Sequence, residues 1–171
     1  VLDNNENEIA TLVASGSNRV YVTIDEIPKN LQHAFVAIED ERFYDHNGID
    51  LQGILRAGVR GITHGFHFSE GASTITQQLL KNNVFTGWTS ESSFSDKLER
   101  KLQEQYLAVQ LEKSVSKDWI LENYLNSINL GQNTLGVQSA SRRYFNKDVS
   151  ELNISESAVI AAITQNPSRY N

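Results

Sequence analysis

The sequence contains no cysteine, which excludes a disulfide framework, thiolate catalysis and zinc sites built on cysteine. It also lacks methionine, has only two prolines, and its longest unbroken apolar run is the six residues 158–163. A helix that crosses a bilayer needs about 20 apolar residues, so no such span is visible. Because the chain opens on Val1 and has no methionine, we expect it to be excised or processed from a longer product, in which an upstream membrane anchor is possible.

Positive charge is also scarce, with 15 basic against 21 acidic residues and a net charge of −6. This balance argues against a general nucleic-acid binder, which usually carries a basic face. The first 50 residues hold 10 acidic and 3 basic side chains, which leaves 11 acidic and 12 basic residues for the rest. An anionic ligand is therefore expected to meet the later part of the chain, whose length suits one domain with a real core.

The pattern of apolar residues predicts a mainly helical domain behind a short β extension. Residues 20–24 are rich in β-branched and aromatic residues and follow a turn-like segment, so residues 1–27 are predicted to form a hairpin or edge ribbon. Helical spacing begins after Pro28, and Asp50, Thr74, Ser95 and Ser116 are predicted N-caps. The first predicted helix begins at Pro28 and ends near residues 39–42, and the others cover approximately residues 50–60, 74–83, 95–113, 116–128, 137–145 and 156–165.

Three clusters carry residues suited to chemistry. In the first, residues 39–48, Glu39 lies at a helix exit, where a carboxylate opposes the helix dipole at a cost of a few tenths of a kcal/mol or more. The residue is either part of a solvated charged end or a catalytic carboxylate.

The second cluster, residues 71–81, places small hydroxyl residues at a helix start, with Gln77, Gln78 and Lys81 one turn further on. Such a start favours phosphate through its unpaired amides and dipole, although an ordinary capped helix has the same pattern.

In the third cluster, Lys97, Lys101 and Glu104 share one narrow stripe of a helix, with Arg100 beside it. The stripe is either a surface salt-bridge ladder or an anion site with surplus positive charge.

Four aromatic residues flank the second cluster on predicted loops. They either pack locally or form an apolar surface that meets lipid or a partner. They are Phe66, Phe68, Phe85 and Trp88. The nearby His64 and His67 have no clear carboxylate third ligand, so a metal site is not predicted there.

Taken in order, these clusters resemble the motifs of the peptidoglycan glycosyltransferases of family 51, the glycosyltransferase domain of class A penicillin-binding proteins. The motif E-D-x-x-F-x-x-H-x-G is met by Glu39, Asp40, Phe43, His46 and Gly48, and G-x-S-T-I-T-Q-Q by residues 71–78. The motif R-K-x-x-E-x-x-x-A-x-x-L-E is met by Arg100, Lys101, Glu104, Ala108, Leu111 and Glu112. A fourth motif is met by Lys117, Ile120, Leu121, Glu122, Tyr124, Leu125, Asn126 and Gly131. The resemblance covers about residues 28–171, and residues 166–171 look like the start of a closing motif.

The resemblance implies a lysozyme-like helical fold with a small membrane-facing lobe at roughly residues 53–95. It also implies polymerisation of lipid II, with a growing glycan on undecaprenyl pyrophosphate as donor. The enzyme would lie at the extracytoplasmic face of the bacterial plasma membrane, with a transmembrane anchor and a transpeptidase domain in the parent chain. Mg²⁺ or Mn²⁺ bridging the pyrophosphate is a family-level expectation.

The resemblance also implies roles for individual residues. Glu39 would take the proton from the acceptor's 4-hydroxyl, and Glu104 would orient cations or a divalent metal. Pyrophosphate is already a stable anion, so its departure needs positive charge and hydrogen bonds rather than an acid. Lys81, Arg100 and Lys101 are assigned to the pyrophosphate, with Ser73 and Gln78 as donors. Further substrate contacts are expected from Asp40, His46, Thr74, Gln77 and Lys97.

Two other classes of function stay open from the sequence. One is a lysozyme-like muramidase or lytic transglycosylase, which the fold and the carboxylate pair would allow. The other is a non-catalytic module that binds a glycolipid. Chain elongation from lipid II, release of muropeptides, and binding without turnover distinguish the three.

Overall fold

The computed structural model describes residues 19–63, 73–84, 94–132 and 134–165, and within them it is helical. A short 3₁₀ turn, Val149–Glu151, precedes the last helix. The helices are α1 (Lys29–Glu39), α2 (Leu51–Thr63), α3 (Ile75–Asn83), α4 (Phe94–Ser114), α5 (Lys117–Ser127), α6 (Val137–Phe145) and α7 (Ile154–Ile163).

Most of the predicted helix starts are confirmed by their caps. Thr74 forms a capping box with Gln77, in which the Thr74 hydroxyl accepts from the Gln77 amide at 3.2 Å. Ser116 caps α5 by accepting from the Trp119 amide at 3.2 Å. Ser95 is not the cap of α4, because that helix already begins at Phe94. The last helix begins two residues before the predicted Glu156, since Asn153 caps it.

One hydrophobic core joins the first, third, fifth and last helices. Helix α1 packs against α7, and α3 packs against both α4 and α5. Leu31 and Phe35 of α1, Tyr124 of α5 and Ile160 of α7 are completely buried there. Burying an aliphatic or aromatic side chain of this size contributes about 1.5–3 kcal/mol, so this packing holds the ends of α1, α3 and α4 in place around one region.

The predicted N-terminal strand is wrong for the part of it that the structure describes. Residues 19–27 contain no strand. The Val22 amide instead donates to Asn126 Oδ1 at 2.9 Å, and Asn126 Nδ2 donates to the Val22 carbonyl at 2.8 Å. A side-chain amide on α5 thus satisfies backbone groups that the pattern had suggested for a sheet. Residues 1–18 lie outside the described part, so the rest of that prediction is untested.

The turn after α1 is fixed by close packing and by an ion pair. Gly48 has φ +90°, and a Cβ at that position would lie 2.6 Å from the Ala108 carbonyl carbon of α4, so only glycine fits. Arg42 Nη2 lies 2.6 Å from Asp50 Oδ2, and Asp50 Oδ1 accepts from the Gly53 amide at 3.0 Å at the start of α2. Burial alone would raise the pKa of Asp50, but the Arg42 and Gly53 hydrogen bonds outweigh it and lower that pKa below its ordinary value.

Candidate active site

Glu39 is the last residue of α1, and its half-buried carboxylate is held by neutral donors. Gln78 Nε2 donates to Oε2 at 3.0 Å. On the other oxygen, Oε1 accepts from the Thr164 hydroxyl and from Gln165 Nε2, the latter at 3.3 Å. These hydrogen bonds offset the unfavourable position of an anion at a helix C-terminus without introducing a counter-charge.

Glu104 is the centre of the cationic stripe on α4 and is only 1% exposed. Arg100 Nη1 donates to Glu104 Oε1, and Lys101 Nζ donates to Glu104 Oε2 at 2.8 Å. Lys101 Nζ also donates to the Ser73 hydroxyl at 3.1 Å. The two cations surround one carboxylate, so the cluster has a surplus of positive charge, as the spacing of these residues predicts.

Glu39 and this cationic cluster face the same cavity of about 260 Å³. The lining residues come from the ends of α1, α3 and α4. They are Glu39, Ser73, Gln77, Gln78, Lys81, Asn82, Lys101 and Glu104. The proximity of Glu39 to Lys81 and Lys101, on which a shared mechanism depends, is therefore present.

Two donors lining this cavity are available to a ligand. Lys81 is exposed and, among the described residues, has no ion-pair partner. Gln77 is 3% exposed, and its Nε2 has no hydrogen-bond partner within the described structure. A buried donor left unpaired costs about 1–3 kcal/mol, which an anionic ligand in the cavity can recover.

Asp40 and His46 form an internal brace rather than part of this cavity. Both carboxylate oxygens of Asp40 accept from His46 Nε2, at 2.9 and 3.0 Å, and the Gly48 amide donates to His46 Nδ1 at 3.2 Å. Because Nδ1 accepts, the ring proton lies on Nε2. The Ile75 amide also donates to Asp40 at 2.9 Å. The pair therefore ties the turn after α1 to the start of α3, and the structure gives no support for direct substrate contact through the 260 Å³ cavity.

The same contacts correct the predicted phosphate site at the start of α3. The Ile75 amide is taken by Asp40, and the Gln77 amide by the Thr74 hydroxyl. The Thr74 amide donates to Gln77 Oε1 at 3.3 Å, and its hydroxyl donates to the Gly48 carbonyl at 2.8 Å. Thr74 is thus a buried capping residue, and donors for an anion come from side chains rather than from these amides.

Two of the predicted cationic substrate contacts, Arg100 and Lys97, are not found among the described residues that line the 260 Å³ cavity. Arg100 braces Glu104 and is absent from the described lining of the cavity. The side chain of Lys97 lies outside the described part of the structure, as do the predicted aromatic residues Phe66, Phe68, Phe85 and Trp88.

A second, smaller cavity of about 120 Å³ adjoins the first at Glu39 and Ser73. Its lining also includes the predicted contacts Asp40 and Thr74, together with Glu41, Asp50 and Arg56. Glu39 therefore lies between two openings, one bordered by the lysines and the other by α2.

Sequence reasoning did not find three of the groups that act on Glu39. Thr164 and Gln165 lie more than 120 residues away along the chain and belong to no recognised pattern. Tyr124 was predicted only as a residue of the fourth motif, with no role in the site, yet its hydroxyl donates to Gln78 Oε1 at 3.2 Å. A buried tyrosine hydroxyl usually needs a hydrogen-bond partner, and this rule was the only sequence signal that could have suggested a polar contact for Tyr124.

The apolar sides of α2 and α4 are exposed. Leu51, Leu55 and Val59 are 62–69% exposed, and on α4 Leu98 and Tyr106 are 52% and 65% exposed. Within the part of the chain described here, no helix is long and apolar enough to cross a membrane.

The described residues do not offer a metal centre built by the protein. They include no group of three His, Cys, Asp or Glu side chains placed to hold an ion. Glu104, which lines the cavity together with Lys81 and Lys101, has both oxygens occupied by Arg100 and Lys101. These residues therefore offer no ligand set for an ion held by the protein itself, and Mg²⁺ or Mn²⁺ bridging the substrate pyrophosphate stays a prediction.

The carboxylate of Glu39 accepts hydrogen bonds from neutral donors and shares one cavity with two lysines. Such an arrangement suits an enzyme that removes a proton while an anionic group departs. This is the arrangement that a glycosyl transferase with a phosphate-activated donor requires. A family model described as "Transglycosylase" matches residues 5–171, and the chain belongs to that family.

Relatives of known name agree with this assignment. The chain is 49% identical over 171 residues to penicillin-binding protein 1A of Clostridium acetobutylicum and covers 21% of that protein. It is 45% identical over 174 residues to penicillin-binding protein 1A of Clostridium perfringens strain 13, with 25% of that protein covered. It is 46% identical over 171 residues to penicillin-binding protein 1F of Bacillus subtilis, with 22% covered. In each case 98–100% of this chain is matched, so it spans about a fifth to a quarter of these relatives.

Proposed function

We propose that this domain polymerises lipid II into the glycan strands of peptidoglycan. The observation that carries the proposal is the 260 Å³ cavity that Glu39 shares with Lys81 and Lys101. The membership of the transglycosylase family and the penicillin-binding relatives support the same chemistry.

In the proposed reaction the acceptor's 4-hydroxyl attacks the anomeric carbon of the donor glycan. Its proton passes to Glu39, a β-1,4 bond forms with inversion, and the bond from the anomeric carbon to the phosphate oxygen breaks. Undecaprenyl pyrophosphate leaves with the electron pair. A positioned base contributes about 10²–10⁴ in rate, and the rest must come from orientation and from stabilising the departing anion.

Lys81 and Lys101 would receive that anion, and Gln77 Nε2 and the Ser73 hydroxyl, which line the same cavity, would donate hydrogen bonds to it. Glu104 holds Lys101 in position and balances part of its charge. Arg100 acts behind Glu104, and Lys97 stays a predicted contact. The acceptor hydroxyl would reach Glu39 from the opening bordered by Arg56 and α2.

The exposed apolar side of α2 supports the predicted membrane-facing lobe, and the exposed apolar side of α4, beyond the predicted bounds of that lobe, would extend the same kind of surface. Leu55 and Leu102 are 69% and 58% exposed, and apolar residues in such numbers on two helices suit the surface of a bilayer. Lipid II is anchored in the outer leaflet, so the domain would work at the extracytoplasmic face of the plasma membrane. A membrane anchor and a transpeptidase domain would then belong to the parent chain, whose relatives are four to five times longer than the match.

The test is incubation with lipid II in detergent, followed by gel separation of the polymer, for wild type, Glu39→Gln and Glu99→Gln. Replacing the base should reduce chain elongation by about 10²-fold or more. Glu99→Gln is the matched control, since this exposed residue on α4 bonds only to its neighbour Gln103 at 3.2 Å among the described contacts. Polymer formation by Glu39→Gln at the wild-type rate would remove Glu39 from its role.

Two other outcomes would replace the proposal. Soluble muropeptides released from lipid-free peptidoglycan would indicate a muramidase or lytic transglycosylase. Binding of lipid II without any turnover by wild type would indicate a glycolipid-binding module.

A further inference from the structure

Tyr124 is a completely buried side chain whose hydroxyl reaches toward the active site. Its ring packs edge-on against Phe35, with the ring centroids 6.2 Å apart. The hydroxyl donates to Gln78 Oε1 at 3.2 Å. It does not line the 260 Å³ cavity, so it can act on the reaction only through its neighbour.

The amide of Gln78 can be oriented in one way only. Its Nε2 lies 3.0 Å from Glu39 Oε2 and 3.5 Å from the Ser73 carbonyl, and both of these oxygens are acceptors. The opposite end, Oε1, must therefore face Tyr124, whose hydroxyl has to donate. The result is a directed chain of hydrogen bonds from Tyr124 through Gln78 to Glu39.

The environment keeps the Tyr124 proton in place. Burial of the ring, followed by the negative charges of Glu39 and Asp40, raises the pKa of Tyr124 well above its ordinary value. The Tyr124 hydroxyl therefore keeps its proton, and stays a hydrogen-bond donor, at any pH at which the enzyme is active.

We infer that Tyr124 is a positioning residue for proton transfer: by fixing the amide of Gln78, it orients the carboxylate of Glu39 toward the acceptor hydroxyl. The inference rests on the proposed function of Glu39. Without the Tyr124 hydroxyl, Gln78 Oε1 loses its donor, and the amide is held only by the hydrogen bonds of its Nε2 to Glu39 and Ser73, so its position is less tightly restrained. Thr164 and Gln165 still hold Oε1, so the carboxylate is loosened on one side rather than released.

Tyr124→Phe removes the hydroxyl and keeps the ring in the core. We expect kcat for polymerisation to fall about 3- to 10-fold, the effect of one neutral hydrogen bond. The KM for lipid II should stay within about twofold, because no group that contacts substrate has changed. Tyr144→Phe is the matched control: it also loses a part-buried hydrogen bond, from its hydroxyl to the Leu130 carbonyl at 2.6 Å, but away from the cavity. It should leave kcat unchanged.

A second substitution tests whether the effect passes through Gln78. Gln78→Ala should itself lower kcat, and adding Tyr124→Phe to it should cause no further loss. An equal loss in both backgrounds, or a wild-type kcat for Tyr124→Phe alone, would overturn the inference.

A measurement without turnover separates this inference from the proposed function. In ¹⁵N-labelled wild type, the Gln78 side-chain amide should shift as pH changes the charge on Glu39. Glu39→Gln should abolish that part of the response and so separate it from Asp40, Lys101 and Glu104, which also lie nearby. Tyr124→Phe should weaken the response. An unchanged response in Tyr124→Phe refutes the positioning role, whereas absence of polymer from wild type refutes only the proposed function.

Discussion

Lys117→Met should destabilise the domain strongly, because Lys117 neutralises a buried carboxylate where three helices meet. Lys117 Nζ of α5 lies 2.6 Å from Glu112 Oε2 of α4 and 4.4 Å from the centre of the Phe43 ring. The Thr76 hydroxyl of α3 donates to the other oxygen of Glu112. The side chain of Glu112 is 3% exposed and that of Lys117 is 21% exposed.

The magnitude follows from this burial. Methionine keeps the length and the contact with Phe43 but leaves Glu112 with only Thr76 as a partner. Removing one member of a buried ion pair costs about 3–5 kcal/mol. The two groups meet without good hydrogen-bond alignment, so the lower end, about 3 kcal/mol, applies. For a domain of this size each kcal/mol lowers Tm by about 2–4 °C, which gives a fall of about 6–12 °C.

Thermal and urea denaturation followed by circular dichroism would measure this loss. Lys147→Met is the matched control, since Lys147 lies 2.7 Å from Glu156 but is 39% exposed. An exposed pair contributes about 1 kcal/mol or less. Adding Glu112→Gln to Lys117→Met should restore most of the stability, because an amide oxygen still accepts from Thr76 and no charge is left buried. Equal losses for the two lysine variants would refute the reasoning.

Three further predictions concern the turn after α1 and the exposed helices. Asp50→Asn should lower the free energy of unfolding by about 1–2 kcal/mol at pH 7. Because the pKa of Asp50 is lowered in the folded state, this stability is present above the unfolded pKa and is lost as pH falls through the folded pKa. Unfolding titrations should therefore show the difference in stability between wild type and variant disappear below about pH 4. A gap that stays constant with pH would contradict this. Gly48→Ala should cost about 2 kcal/mol or more, because φ is +90° and the new Cβ would meet Ala108, and an unchanged Tm would contradict the fit described above. Leu55→Ser combined with Leu102→Ser should weaken co-sedimentation with anionic phospholipid vesicles without lowering Tm, since both residues are exposed, and undiminished binding would argue against a bilayer-facing surface.

The helices were predictable because their signals are local. The end of α1 at Glu39 and the bounds of α6 agree with the predicted ranges, and the capping box at Thr74 marks the start of α3. The N-terminal strand failed for the opposite reason. The β-branched pattern of residues 20–24 is local, but the backbone of Val22 forms its hydrogen bonds with the side chain of Asn126, about 100 residues later in the sequence.

The candidate site divides in the same way. Lys101 and Glu104 are three residues apart on one helix, so their contact follows from helical geometry. The contacts of Glu39 with Thr164 and Gln165 depend on the packing of α1 against α7, which no pattern in either segment reveals. The motifs also do not distinguish residues with a structural role from residues suited to catalysis. Gly48, for example, is a motif residue that packs closely against α4.

The distribution of charge in the cavity favours transfer over hydrolysis. A glycosidase must protonate a sugar oxygen, so one of its carboxyl groups has to carry a proton. Here Glu104 accepts from two cations, whereas the donors to Glu39 among the described residues are all neutral. Glu39 is the carboxylate suited to accept a proton, whereas Glu104 fixes Lys101 close to Lys81, which has no ion-pair partner within the described part of the chain. Such a site suits a leaving group that departs as a stable anion, which is the property that distinguishes a pyrophosphate-linked glycan from a glycoside.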